Sequence, residues 1–157
     1  MKRMLIRAAI LILAAAAWGC GGGKSTDTKG AAGGAAVSPY DNGPRAADSP
    51  VAVALAEKGA GLFKAKGCTA CHAYGKRLTG PDLKGVTHRR TADWMEHQIL
   101  HPEIMTKEDP ISRQLLATYA VQMSNQGLTP DEAKSVIEYL KKLDEETDEK
   151  EGTQAQK

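Results

Sequence analysis

Aromatic side chains are scarce in this chain of 157 residues: one Phe, two Trp and four Tyr, 4% of the total. So few large side chains leave little bulk of the chain's own to fill a core. Cysteine is scarce as well, with Cys20, Cys68 and Cys71 alone. A four-ligand zinc site would need two more Cys or His at matching spacing, and there is no second Cys pair. Neither sign of charge dominates, the formal net charge being +2, which gives no ground for nucleic-acid binding. The one sustained apolar run, residues 8–17, is too short to span a bilayer stably. No stretch alternates apolar and polar residues as a convincing strand would, and no internal repeat is visible.

What is present centres on Cys68-Thr69-Ala70-Cys71-His72. Cys-x-x-Cys-His is the attachment signal for c-type haem. Two thiols three residues apart share one side of a helical turn, where each can add to one vinyl group of the same porphyrin. The adjacent imidazole can then serve as the proximal iron ligand. A thioredoxin-like dithiol would require a strand-helix-strand context that the flanks do not offer. A plain structural disulfide would leave His72 without a role. A buried porphyrin would also supply much of the apolar bulk that the aromatics do not.

Along the chain, Lys2, Arg3 and Arg7 precede the apolar run 8–17, as in a secretory signal occupying residues 1–19. Gly19-Cys20 resembles a bacterial lipoprotein processing box, in which Cys20 is acylated and becomes the new N-terminus. Ala17 and Trp18 depart from that pattern, and ordinary cleavage nearby would leave a soluble periplasmic protein instead. Acylation has the merit of explaining the odd cysteine. Residues 20–48 are rich in Gly, Ala, Ser, Thr and Pro without apolar periodicity, and are expected to form a flexible linker with a reach of roughly 30 Å.

The folded domain is expected over 49–143. Asp48 or Ser49 is placed to cap a first helix with Pro50 at its first position. Leu55, Gly59 and Phe63 would share its inner face, and Gly67 would end it. Residues 79–86 read as a loop. Thr91 caps a helix containing Trp94, Met95, Ile99 and Leu100 that Pro102 should stop. Asp109 and Pro110 open another, with Ile111, Leu115, Leu116 and Tyr119 on one stripe. Thr129-Pro130-Asp131-Glu132 is a capping box that starts a last helix with Ala133, Val136, Ile137, Leu140 and Leu143 buried. Residues 144–157 read as an acidic, disordered tail.

These pieces give an all-α domain of four to five short helices, and residues 49–143 resemble the class I c-type cytochromes with one haem. The likeness rests on Gly59 and Phe63, the haem motif, Gly80-Pro81-Asp82-Leu83, and a final helix with Tyr139. It implies a small cytochrome c fold around one covalently attached haem c, whose first and last helices cross at Gly59, Phe63 and Tyr139. It implies that Cys68 and Cys71 form the thioethers, that His72 ligates the iron, and that the Pro81 carbonyl accepts the other ring N–H of His72. The family's sixth ligand is a Met on a loop before the last helix, a place taken here by Met123, with Met105 as the alternative. Met95 suits the core, and His88, His97 and His101 lie in polar runs that suit the surface. Arg89, Arg90 and Trp94 are candidate holders of the haem propionates.

From residue 58 to 90, Lys58, Lys64, Lys66, Lys76, Arg77, Lys84, Arg89 and Arg90 stand against Asp82 alone. Such a run is either a solvated surface or a rim that steers a redox partner with an acidic docking face. The leading expectation is a one-electron carrier, not an enzyme, exported and held to a membrane through Cys20. A haem subunit of a larger oxidoreductase, or an open-iron haem enzyme or gas sensor, are the alternatives.

Overall fold

The computed structural model describes residues 37–155. The expected signal segment and the Cys20 processing site lie outside the described residues. Within them the chain forms six α-helices: α1 Val53–Ala65, α2 Val86–Arg89, α3 Ala92–Leu100, α4 Pro102–Glu108, α5 Pro110–Tyr119 and α6 Pro130–Ala155. Two short 3-10 turns, Ala46–Asp48 and Cys68–Ala70, complete the regular structure, and no strand occurs among the described residues.

Helix α1 starts later than its sequence suggests because both expected caps are committed elsewhere. The Asp48 carboxylate accepts the Arg45 backbone N–H at 2.7 Å, and the Ser49 hydroxyl donates to the Ala46 carbonyl while accepting from Lys141. The first turn is instead met from across the fold, where Glu138 Oε2 accepts the Ala52 N–H at 2.7 Å. Its inner face is Ala56, Gly59 and Phe63, and Leu55 points outward, 40% exposed. The difference is one of register: spacings of three and four, not four and four, follow the 3.6-residue turn. Gly59 is where α1 meets α6 backbone to backbone, since a Cβ there would lie 1.9 Å from the Ser135 carbonyl oxygen. One turn on, the Phe63 and Tyr139 rings meet with centroids 5.6 Å apart. Gly67, at φ +75°, ends the helix and turns the chain into Cys68.

Thr91 caps α3 by accepting the Trp94 N–H at 3.0 Å. Pro102 does stop α3, but it also begins α4 at the first helical position, where its missing N–H costs nothing. Asp109 caps α5 by accepting the Ser112 N–H at 2.9 Å. Thr129 and Glu132 form the reciprocal capping box of α6. Phe63, Trp94, Met95, Met105, Val136, Ile137 and Leu140 form the core between these helices.

Both expected borders of the domain move outward. Residues 37–48, expected as linker, are stitched onto the start of α3. Asp41 accepts from the Thr91 N–H at 2.8 Å and pairs with both Arg45 and Arg90, while the Tyr40 ring lies 4.2 Å from that of His97. At the other end α6 continues past Asp144 to Ala155. Asp144 is 2% exposed, and its carboxylate accepts from the Tyr74 hydroxyl at 2.7 Å, the Gly85 N–H at 2.6 Å and both donors of Thr87. A buried carboxylate with this many donors ties α6 to the segment on either side of Pro81. The ion pairs Lys84–Glu151 and His88–Asp148 extend the contact outward.

Candidate cofactor site

A cavity of about 300 Å³ opens between α1, α3, α5, α6 and the segments around the haem motif. Its wall is apolar where Phe63, Met95, Leu115, Val136 and Leu140 face it, and Cys68, Cys71, His72 and Met123 all line it. No disulfide joins Cys68 and Cys71, of which Cys71 is exposed and Cys68 partly covered. Burial pushes the Cys68 thiol up from its ordinary value, against a smaller lowering by its backbone hydrogen bond. The 3-10 turn is closed by the His72 N–H to the Cys68 carbonyl at 2.9 Å, which keeps both sulfurs and the imidazole on one compact turn.

The imidazole is fixed in one tautomer. His72 Nδ1 lies 3.0 Å from the Pro81 carbonyl oxygen. A carbonyl only accepts, so Nδ1 carries the proton and Nε2 keeps its lone pair for a metal. Gly80 permits this contact: a Cβ there would stand 2.6 Å from His72 Cε1 and 3.1 Å from the Cys71 carbonyl. The Gly80 N–H also donates to that carbonyl at 2.8 Å, so the Gly80-Pro81 segment is laid directly along the ring.

The two candidate methionines are placed very differently. Met123 sits in the irregular segment 121–129 and lines the cavity. Met105, expected in a loop, lies inside α4 at 1% exposure and belongs to the hydrophobic core rather than the cavity wall. Met95 is likewise buried but does reach the wall. His88 pairs with Asp148, His97 Nδ1 contacts the Asp93 carbonyl, and His101 is exposed at the start of α4. None of the three lines the cavity.

Arg89, Arg90 and Trp94 line the cavity too. Trp94 is not available to a propionate, since its indole N–H is donated to Asp109 Oδ1 at 3.0 Å inside the core. Burial would push the Asp109 carboxyl up, but the neighbouring Ser38 hydroxyl and the hydrogen bonds from the Ser112 N–H and the Trp94 indole outweigh it and hold the group below its ordinary value. Arg89 donates to the Lys84 carbonyl, and Arg90 to Asp41 while its guanidinium lies 5.2 Å from the Trp94 ring. Each arginine keeps further donors beyond these bonds.

Several lining residues carry no signal in the sequence. Gln98 and Ser112 read as the polar faces of amphipathic helices, yet Gln98 Nε2 lies 3.8 Å from Met123 Sδ and the Ser112 hydroxyl donates to Gln98 Oε1 at 2.6 Å. Tyr119 also lines the wall, with the Arg77 guanidinium 4.4 Å above its ring.

A helical domain that presents two thiols, a tautomer-fixed imidazole and a thioether to one apolar cavity has the donor set of a c-type haem protein. The residues present fit that group: soft sulfur and neutral nitrogen for iron, and an apolar wall for the macrocycle. Residues 56–144 match the family model described as cytochrome c, and the chain belongs to that family. It binds one covalent haem c, the cofactor of the family. A 31-residue stretch is 55% identical to cytochrome c-551 of Azotobacter vinelandii, covering 20% of this chain and 38% of that relative's length. The cytochrome c of Rhodothermus marinus is similar at TM-score 0.60 and 34% identity, over 62% of this chain and 83% of its own. An engineered form of the same protein is similar at TM-score 0.59 and 33% identity, covering 62% and 84%. Among the described residues no helix is long and apolar enough to cross a membrane.

Proposed function

We propose that the chain is a one-electron carrier of an exported respiratory chain, in which His72 and Met123 would hold the haem iron. The observation that carries the proposal is that His72 and Met123 line the same cavity, while Met105 is buried in the core away from it. Bound haem supplies a one-electron Fe(III)/Fe(II) couple, and a closed coordination sphere favours electron transfer over chemistry at the iron. In this reading His72 offers Nε2 because the Pro81 carbonyl holds its other nitrogen. Met123 offers a thioether, whose softness favours the reduced state and a comparatively high potential. No acid or base is needed and none is assigned.

The basic residues between 58 and 90 would steer an acidic partner, an attraction that weakens as salt rises. Part of this charge is already matched within the chain, Lys66 by Glu132, Lys84 by Glu151 and Arg90 by Asp41. Membrane attachment would come from acylation of Cys20. Incorporation of a fatty-acid analogue that disappears in Cys20→Ser is the expected result, and equal labelling of the two proteins would leave a soluble periplasmic carrier.

The ligand assignment is tested by a pair of substitutions in haem-loaded protein. Met123→Ala is expected to remove the weak far-red sulfur-to-iron band of the oxidised form, lower the potential and speed carbon monoxide binding. Met105→Ala should leave all three in place and instead lower stability by about 2–5 kcal/mol, as for other buried methionines cut to alanine. Loss of the band in Met105→Ala alone would overturn the assignment. A wild type that lacks the band and binds carbon monoxide readily would favour the open-iron enzyme or sensor.

A further inference from the structure

We infer that Gln98 is the positioning residue for the Met123 sulfur, presenting an N–H to the thioether and so setting both its orientation and its donor strength. The inference rests on Met123 being the sixth ligand. A thioether sulfur has two lone pairs, of which iron would use one. Methionine is unbranched, with freely turning side-chain bonds, and Met123 lies in a segment without regular structure. Left to itself such a sulfur would sample many positions.

Four contacts remove that freedom. Gln98 Nε2 is 3.8 Å from Met123 Sδ, within hydrogen-bonding range for sulfur. The Ser112 hydroxyl donates to Gln98 Oε1 at 2.6 Å, which fixes the amide with its NH2 end toward the sulfur. Ser112 is itself 1% exposed and held in the first turn of α5 by the Asp109 cap. The same segment is pinned again two residues on, where Asn125 Nδ2 donates to the Leu100 carbonyl at 2.7 Å. Both attachment points, Gln98 and Leu100, belong to α3, so the loop is referenced to a helix that also contributes Trp94 and Met95 to the core.

The amide has an electrostatic consequence. The positive end of its N–H dipole faces the sulfur, and a positive end beside a ligand opposes the extra positive charge of oxidised iron. The contact therefore favours the reduced state, and its removal should lower the potential.

The test uses full-length, haem-loaded wild type, Gln98→Leu and Ser112→Ala, read by potential, carbon monoxide binding rate and the far-red band. Gln98→Leu is expected to lower the potential and to raise the carbon monoxide rate by about tenfold, the lower end of what loss of an outer-shell partner costs in metal affinity. Ser112→Ala frees the amide to turn and should move both quantities the same way by less. A role confined to packing would lower stability while leaving potential and binding rate at wild-type values, and that result in both variants would overturn the inference. Failure of the ligand assignment is separately visible. The far-red band would then be absent from wild type, or would survive Met123→Ala, whatever the Gln98 variants do.

Discussion

Replacing Cys68 and Cys71 together by Ala is expected to abolish covalent haem attachment and to leave the chain largely unfolded. The chain has one Phe, and the core contributes Phe63 and Trp94 as its only buried aromatics among the described residues. The remaining core is Met, Val, Ile, Leu and Ala, bordering a cavity of about 300 Å³. At about 24 cal/mol per Å³, an unfilled cavity of that size would cost about 7 kcal/mol. Partial opening to solvent makes this a ceiling, but net domain stability is only about 5–15 kcal/mol. Without the porphyrin, the apolar side chains that line the cavity from α3 and α5, Met95, Ile99, Leu115 and Leu116, would also lack a partner. Circular dichroism of the double variant should therefore show weak helicity and no cooperative melt. A cooperatively melting, helical double variant would show that the protein core suffices alone.

The chemistry of the site was more legible in the sequence than its support. The haem motif is contiguous, so Cys68, Cys71 and His72 are brought together by local geometry alone. Gly80-Pro81 lies close enough in sequence to be placed beside it. The capping residues Thr91, Asp109 and Thr129 act on their own helices and were readable for the same reason. What was not readable depends on contacts distant in sequence. Asp41 ties residues 37–48 to Arg90 and Thr91 through polar atoms, which leave no apolar period to detect. Asp144 looks like the first residue of an acidic tail, and only the fold shows Tyr74, Gly85 and Thr87 gathered around it. Pro102 was legible as a break, but whether a break starts a new helix depends on the packing of Met105 beyond it. Gln98 and Ser112 are polar residues on helices with polar faces, and their inward roles follow from where segment 121–129 passes.

Gly59→Ala and Gly61→Ala are expected to change stability in opposite directions, although the two glycines lie two residues apart on α1. The first methyl group has nowhere to go. Its carbon would lie 1.9 Å from the Ser135 carbonyl oxygen, 2.5 Å from the carbonyl carbon and 2.9 Å from Tyr139 Cβ. Two of these are backbone atoms of α6, so no rotamer change relieves the clash and the helices themselves must separate. Phe63, Val136 and Leu140, which line the cavity from these helices, would move with them. We expect a loss of about 3 kcal/mol, the upper end for overpacking. For a domain of this size that is on the order of 15 °C in melting temperature. Gly61 is exposed, and beyond its chain neighbours and its own helix backbone no heavy atom lies within 4 Å of where its Cβ would sit. There Ala relieves the helix of glycine's backbone entropy and should add roughly 0.5–1 kcal/mol. Thermal melts of the two haem-loaded variants beside wild type decide the matter. If Gly59→Ala melts within a degree or two of wild type, or if Gly61→Ala is the less stable variant, the close crossing of α1 and α6 at Gly59 is not what holds them together.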